Sequence, residues 1–206
     1  MKYQYQCRNV TISGLPGSGT TTLLRMLKKK LKYDGWKGFS GGEFMRRYAV
    51  EKGLYDNTQK IHHSADAYDE DFDRQVDLGI REKLQEEAHW IIESWLSGFM
   101  AQGLDGVLKI LVKCSNDAVI IDRIVNRDEV SIQDAKEHIN QRYQTNLNKW
   151  SRVYEQEWNQ WVVKNGPADK DDPIDFWRPD LYDIVIDTFS ATKKQALQTA
   201  LNAITK

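Results

Sequence analysis

Val10-Thr11-Ile12-Ser13-Gly14-Leu15-Pro16-Gly17-Ser18-Gly19-Thr20-Thr21-Thr22-Leu23-Leu24 reads as an apolar run, a glycine-rich turn and the start of a helix. Val10–Ser13 has the unbroken apolar character of a strand buried on both faces. A phosphate chain needs several backbone N–H groups converging on it, and glycines let the backbone approach that closely. The helix beginning at Thr20 adds free N–H groups and the positive end of its dipole. Thr21 stands where the pattern G-x-x-x-x-G-K-[ST] has its magnesium-binding hydroxyl, and Thr20 stands where that pattern has lysine. Gly14, Gly17, Ser18, Gly19, Thr20, Thr21 and Thr22 are therefore expected to cradle donor phosphates, with ATP and Mg2+ as the expected ligands. A glycine-rich turn without a ligand is the alternative.

Around this stretch lies a chain of 206 residues and 24.0 kDa, 40% hydrophobic and 29% charged, with mean hydropathy −0.65. That suits one compact domain with room for a small subdomain. No apolar run approaches the ~20 residues of a membrane span, and the polar Met1–Cys7 stretch lacks the apolar core of a signal peptide. Two cysteines, Cys7 and Cys114, make no disulfide framework, so a reducing cytoplasm is expected. The formal charge of −1 does not indicate a broad nucleic-acid face.

Further buried-strand candidates are Trp36–Phe39, Trp90–Glu93, Val107–Val112 and Ile184–Asp187. Helical patterns lie between them: Thr20–Lys32, Glu43–Lys52, Phe72–Glu87, Ala118–Asn126, a long one from Ser131 towards Trp161, and Lys193–Ile204. Ser131 with Asp134 resembles a capping box. Three of the four prolines fall in the acidic stretch 166–179, which reads as a surface loop. Strands alternating with helices predict an α/β fold with a parallel sheet.

Beyond the first stretch, several segments resemble one family in order and spacing. Ser40-Gly41-Gly42-Glu43-Phe44-Met45-Arg46 resembles the S-x-G-E-x-x-R segment of nucleoside monophosphate kinases. Asp73-Arg74-Gln75-Val76-Asp77 is similar to the I-D-x-x-I-D stretch of archaeal-type cytidylate kinases. Trp90–Phe99 resembles their V-V-L-E-S-R-L-A-G-W. Asp122–Asp128 resembles their lid segment, with Arg142 on the following lid arginine, and Tyr182–Thr188 looks like their last strand and nucleotide-base loop. The resemblance runs from Val10 to Ile204, apart from an insertion at about 155–178. Trp95 stands where the family's E-S-R-L-A-G has arginine, and Leu78-Gly79 where basic residues tend to follow the second aspartate.

The resemblance implies a single P-loop kinase domain over residues 1–206, with a five-stranded parallel sheet flanked by helices. It also implies a monophosphate-binding segment at about 38–88 and a lid at about 120–145. The implied reaction moves the γ-phosphoryl of ATP to CMP or dCMP, and a monomer is expected. Arg46 would bind the acceptor's phosphate, Ser40, Gly42 and Trp95 would shape its pocket, and Asp73 and Asp77 would read the cytosine. Arg123, Arg127 and Arg142 would close over the transferring group, since a planar guanidinium clamps phosphate oxygens in pairs. Thr21 would hold magnesium, with Glu93 orienting magnesium-bound water. A salt-bridged strand-end carboxylate is the plainer account of Glu93, and a solvated helix face that of Asp73 and Asp77. Two other classes of function stay open: a nucleotide-binding protein of the same fold with little turnover, and a kinase for another small phosphate acceptor.

Other residues carry less. His62 and His63 have no partner at metal-ligand spacing. Cys114 closes a strand as a core thiol. Trp150 and Trp161 are expected to seat the long helix on the body.

Overall fold

The run around Val10 becomes the middle strand of a parallel sheet. In the computed structural model, which describes residues 4–52 and 70–205, the strands are β1 (Asn9–Ser13), β2 (Lys37–Ser40), β3 (Trp90–Glu93), β4 (Val107–Lys113) and β5 (Ile184–Asp187). Their order is β2-β3-β1-β4-β5, with every pairing parallel. The helices are α1 (Thr20–Leu31), α2 (Gly41–Glu51), α3 (Glu70–Glu86), α4 (Ser97–Met100), α5 (Asp117–Asp128), α6 (Ile132–Val153), α7 (Glu155–Trp158) and α8 (Lys193–Ile204). His62, His63 and part of the expected acceptor segment lie outside the described residues.

Successive strand residues fall into two cores, as the pleat requires. Val10, Ile12, Ile91, Ile110, Val112 and Ile186 pack with Leu23, Leu24, Leu27 and Leu31 of α1 and Ala196, Ala200 and Ile204 of α8. Ile92 and Leu111 join the opposite core with Ile80 and Leu84 of α3, Phe99 and Met100 of α4, and Tyr154 and Trp158. Each fully buried aliphatic or aromatic side chain contributes about 1.5–3 kcal/mol. With both faces covered, continuous apolar strands are what the architecture demands. The helix starts are capped: Ser40 accepts from the Glu43 N–H, Asn116 from Val119, Ser131 from Asp134, and Thr192 forms a full capping box with Gln195.

Two expectations need correcting. The long helix does not run unbroken to Trp161: Tyr154 leaves helical geometry (φ −112, ψ 19), and α7 and a π-helical turn over Asn159–Val163 follow. The break turns Tyr154, fully buried, so that its hydroxyl meets Asp77. The 166–179 stretch is not simply a surface loop either. Its chain dips back into the core, burying Ala168, Phe176 and Trp177, because Phe99 offers an aromatic face on which Phe176 packs at 4.8 Å.

Candidate functional site

The donor loop leaves β1 at the sheet's carboxyl edge, where open α/β sheets bind their ligands. Gly14 has no room for a side chain, since a Cβ would lie 2.2 Å from the Val112 carbonyl oxygen. Gly17 and Gly19 hold φ of 81 and 102, in the left-handed region that glycine tolerates. At Gly17 a Cβ would also meet Ile120 Cγ2 at 2.8 Å, so the loop is pressed against α5. The first turn of α1 carries no acidic residue, which leaves its dipole open to an anion. The backbone therefore fits a phosphate chain on its own geometry.

Thr20 turns inward rather than towards a phosphate. It is buried, and its hydroxyl donates to Glu93 Oε1 at 2.8 Å. Ser40, at the end of β2 and level with Glu93 in the β2–β3 register, donates to Oε2 at 2.6 Å. Glu93 thus sits between the P-loop and the start of α2 with one hydroxyl on each oxygen. A carboxylate has about four lone-pair sites, so it can still accept from a water. Thr21, one residue into the helix, is half-buried. Hydroxyl and carboxylate oxygens are the donor types Mg2+ takes. Among the described residues no group of three His, Cys, Asp or Glu side chains could hold a metal.

One cleft of about 800 Å³ joins these parts. Gly14, Gly17, Gly19, Thr20, Thr21, Thr22, Ser40, Gly42, Arg46, Glu93, Trp95, Arg123, Arg127 and Arg142 all line it. Residues drawn from five separated segments of the sequence are thereby brought together. Ser18 does not line it; its carbonyl instead accepts from the Thr188 hydroxyl at 2.7 Å.

The three arginines sit differently. Arg123 donates to the Gly17 carbonyl (2.9 Å), the Thr188 hydroxyl (2.8 Å) and the Thr188 carbonyl (3.1 Å), riveting the P-loop to the loop after β5. Arg127 makes a two-pronged pair with Asp128, both contacts at 2.7 Å. Arg142, from α6, lies over the Trp95 ring at 5.5 Å from its centroid.

Asp73 and Asp77 are not in the cleft lining. Both are half-buried on α3 and turned to the α6 side. Lys149 reaches Asp73 at 2.5 Å, and the Tyr154 hydroxyl donates to Asp77 at 2.7 Å. Arg74 pairs with Glu157 beside them. Desolvation pushes the Asp77 carboxyl up to about 7, aided by the Asp73 charge and opposed by the Tyr154 hydroxyl and Lys149.

The cleft also contains residues that sequence reasoning did not single out. Arg25 lines it and pairs with Glu43 at 3.0 Å, and Thr188 and Lys193 line it beyond β5. Thr188 closes a stretch that the resemblance marks as the base loop. Lys193 carries no local signal, being one of two lysines opening α8.

Comparison with known proteins speaks to the family and the fold. A sequence-family model described as an AAA domain matches residues 10–145. A cytidylate kinase of Thermococcus sibiricus is 31% identical over 186 residues, covering 89% of this chain and 81% of that relative. One from Methanosarcina barkeri is 31% identical over 196 residues, covering 95% of each. Among solved structures, a gluconokinase from Sinorhizobium meliloti superposes with TM-score 0.51 at 10% identity, covering 97% of this chain and 93% of that one. A shikimate kinase from Acinetobacter baumannii does so with TM-score 0.50 at 10% identity, over 96% and 93%; both likenesses speak to the fold. Taken with the glycine loop and the parallel five-stranded sheet, these matches mean that the chain belongs to the cytidylate kinase-like family of P-loop nucleoside monophosphate kinases.

Proposed function

We propose that this protein is an ATP-dependent phosphotransferase that moves the γ-phosphoryl group of Mg2+–ATP to CMP or dCMP. The observation that carries the reading is the single cleft in which the glycine loop, Glu93, Arg46 and three lid-side arginines meet. In the reaction an acceptor phosphate oxygen bonds to the γ-phosphorus while the bond to the β–γ bridging oxygen breaks, releasing ADP. Such chemistry asks for positioning and for positive charge around the transferring group. Gly14 to Thr22 would hold the donor phosphates, Arg46 the acceptor's phosphate, and Arg127 and Arg142 the group in transit. Arg123, fastened to Gly17 and Thr188, would keep the donor loop in shape. Mg2+, held by Thr21 with Glu93 ordering its water, would neutralise phosphate charge. Support for a cytidine acceptor comes from the names of relatives that match this chain over most of their length.

A second reading, transfer to another small phosphate acceptor, is favoured by two observations. The acids expected to read cytosine face Lys149 and Tyr154, and Trp95 lines the cleft at the position of the family's arginine. Measuring ADP formation with CMP, dCMP, UMP, AMP, GMP and dTMP separates the readings. Product from the cytidine nucleotides alone supports the first, and product from another monophosphate supports the second.

A further inference from the structure

Trp95 replaces a cation with a neutral ring, yet its surroundings return a positive charge to the same place. The Arg142 guanidinium lies over the Trp95 ring, 5.5 Å from its centroid, and both residues line the cleft with Arg46. A ring face attracts a guanidinium without consuming its N–H donors, which point outward in the guanidinium plane. The ring itself is held from behind. Trp150 meets it edge-on at 5.4 Å and 76°, and Trp177 at 5.9 Å and 72°. The Trp177 indole N–H also donates to the Trp95 carbonyl at 3.0 Å. Tyr143, next to Arg142 on α6, packs on the same Trp177 at 5.6 Å. One buried indole therefore touches both the residue that offers the ring face and the neighbour of the arginine placed upon it. Trp177 belongs to the segment that the cytidylate kinase resemblance leaves as an insertion.

We propose that Trp95 and Trp177 are positioning residues that hold Arg142 where the acceptor's phosphate meets the group in transit, so that an arginine carried by α6 supplies to both the charge absent at position 95. The proposal rests on the phosphotransferase reading for its kinetic consequences and on side-chain geometry alone for its structural ones. A role limited to core packing would lower stability in every variant without singling out the acceptor. A positioning role is specific: Trp95→Leu removes the ring face, Trp95→Phe keeps one, and Trp177→Phe keeps a smaller aromatic ring but loses the indole N–H.

The test has two arms. In the first, the Arg142 side-chain Nε–Hε and δ-proton resonances, assigned through Arg142→Gln, are recorded in the apo protein. An upfield ring-current shift is expected in the wild type, retained in Trp95→Phe and absent in Trp95→Leu. In the second, KM is measured for ATP and for whichever monophosphate is turned over. Trp95→Leu should raise the acceptor KM by roughly 3- to 30-fold, the range one cation–π contact supports, with ATP KM held within about twofold. Trp95→Leu should add nothing to the acceptor defect of Arg142→Gln. Unshifted Arg142 resonances in the wild type, or Trp95→Leu and Arg142→Gln defects that multiply, would overturn the proposal. If no monophosphate is turned over, the functional reading has failed, and the resonance arm still decides whether Trp95 places Arg142.

Discussion

Replacing Asp77 by asparagine tests the electrostatics of the α3–α6 contact with a change of one atom type. The carboxyl is desolvated and its pKa is lifted from an ordinary 3.8 to about 7. A raised acid favours its neutral form in the fold. Its contribution is therefore complete below the unfolded value near 3.8, falls as pH rises, and is lost once pH passes about 7. At ~1.36 kcal/mol for each tenfold change in acidity, ionising this group in place costs on the order of 4 kcal/mol. Asparagine keeps an acceptor for the Tyr154 hydroxyl and never ionises. The stability difference, asparagine minus wild type, should then grow by roughly 1.4 kcal/mol per pH unit between pH 4 and 7 and level off above. For a chain of this size each kcal/mol moves Tm by about 2–4 °C, so the variant should melt roughly 10 °C higher at pH 8 and close to wild type at pH 4. Urea titrations at half-unit pH intervals measure the slope directly. A difference independent of pH, or an asparagine variant weaker than wild type at pH 8, would refute the desolvation argument. Calorimetry with CMP extends the experiment to function: an acid that anchors α3 to α6 leaves CMP affinity unchanged on this substitution, whereas one that reads the base does not.

Four further outcomes follow from the same geometry. Gly19→Val should abolish ATP binding by calorimetry, because a β-branched residue cannot hold a φ of 102 without strain and the donor loop must rebuild around it, even though the Cβ itself meets only ordinary contacts near 3.5 Å from Thr188. Arg46→Ala should weaken acceptor binding by about 1.5–3 kcal/mol, the value of one charge-assisted hydrogen bond, with ATP affinity unaltered; equal CMP affinity in both proteins would return Arg46 to the solvated surface. Thr20→Val, nearly isosteric, should cost about 1–3 kcal/mol in urea titration because it strips a donor from Glu93 Oε1, and no loss would mean that the bond is replaced by water. Amide exchange over residues 120–145 should slow when a bisubstrate analogue binds, as a closing lid requires; unchanged exchange at saturation would count against the lid.

The parts of this fold that the sequence displayed are those whose physics is local or periodic. Val10–Ser13, Trp90–Glu93 and Ile184–Asp187 read as strands because a parallel sheet covered on both faces needs unbroken apolar runs. The donor loop was legible because close backbone approach to phosphate restricts residue type at Gly14, Gly17 and Gly19. Arg46, Arg123, Arg127 and Arg142 are legible only through family resemblance, since arginines on helix surfaces carry no local mark of a shared cleft. What escaped depends on pairings far apart in sequence. Nothing near Tyr154 announces that a helix must break there so that its hydroxyl can meet Asp77, 77 residues earlier. The acidic, proline-containing segment at 166–179 looks solvated by composition, yet Phe176 and Trp177 are buried by aromatic surfaces on α4 and beside β3. Thr20 is the instructive middle case. Its identity told of a missing lysine, but only the structure shows its hydroxyl committed to Glu93.

Formation of ADP from Mg2+–ATP, followed with and without each of the six monophosphates, is the most direct test of the proposed phosphotransfer. Acceptor-dependent ADP is expected with at least one monophosphate, CMP or dCMP foremost, together with loss of that activity in Gly19→Val and Arg127→Ala. Tight ATP binding with no acceptor-dependent ADP from any monophosphate would contradict it, leaving a nucleotide-binding protein built on a kinase fold.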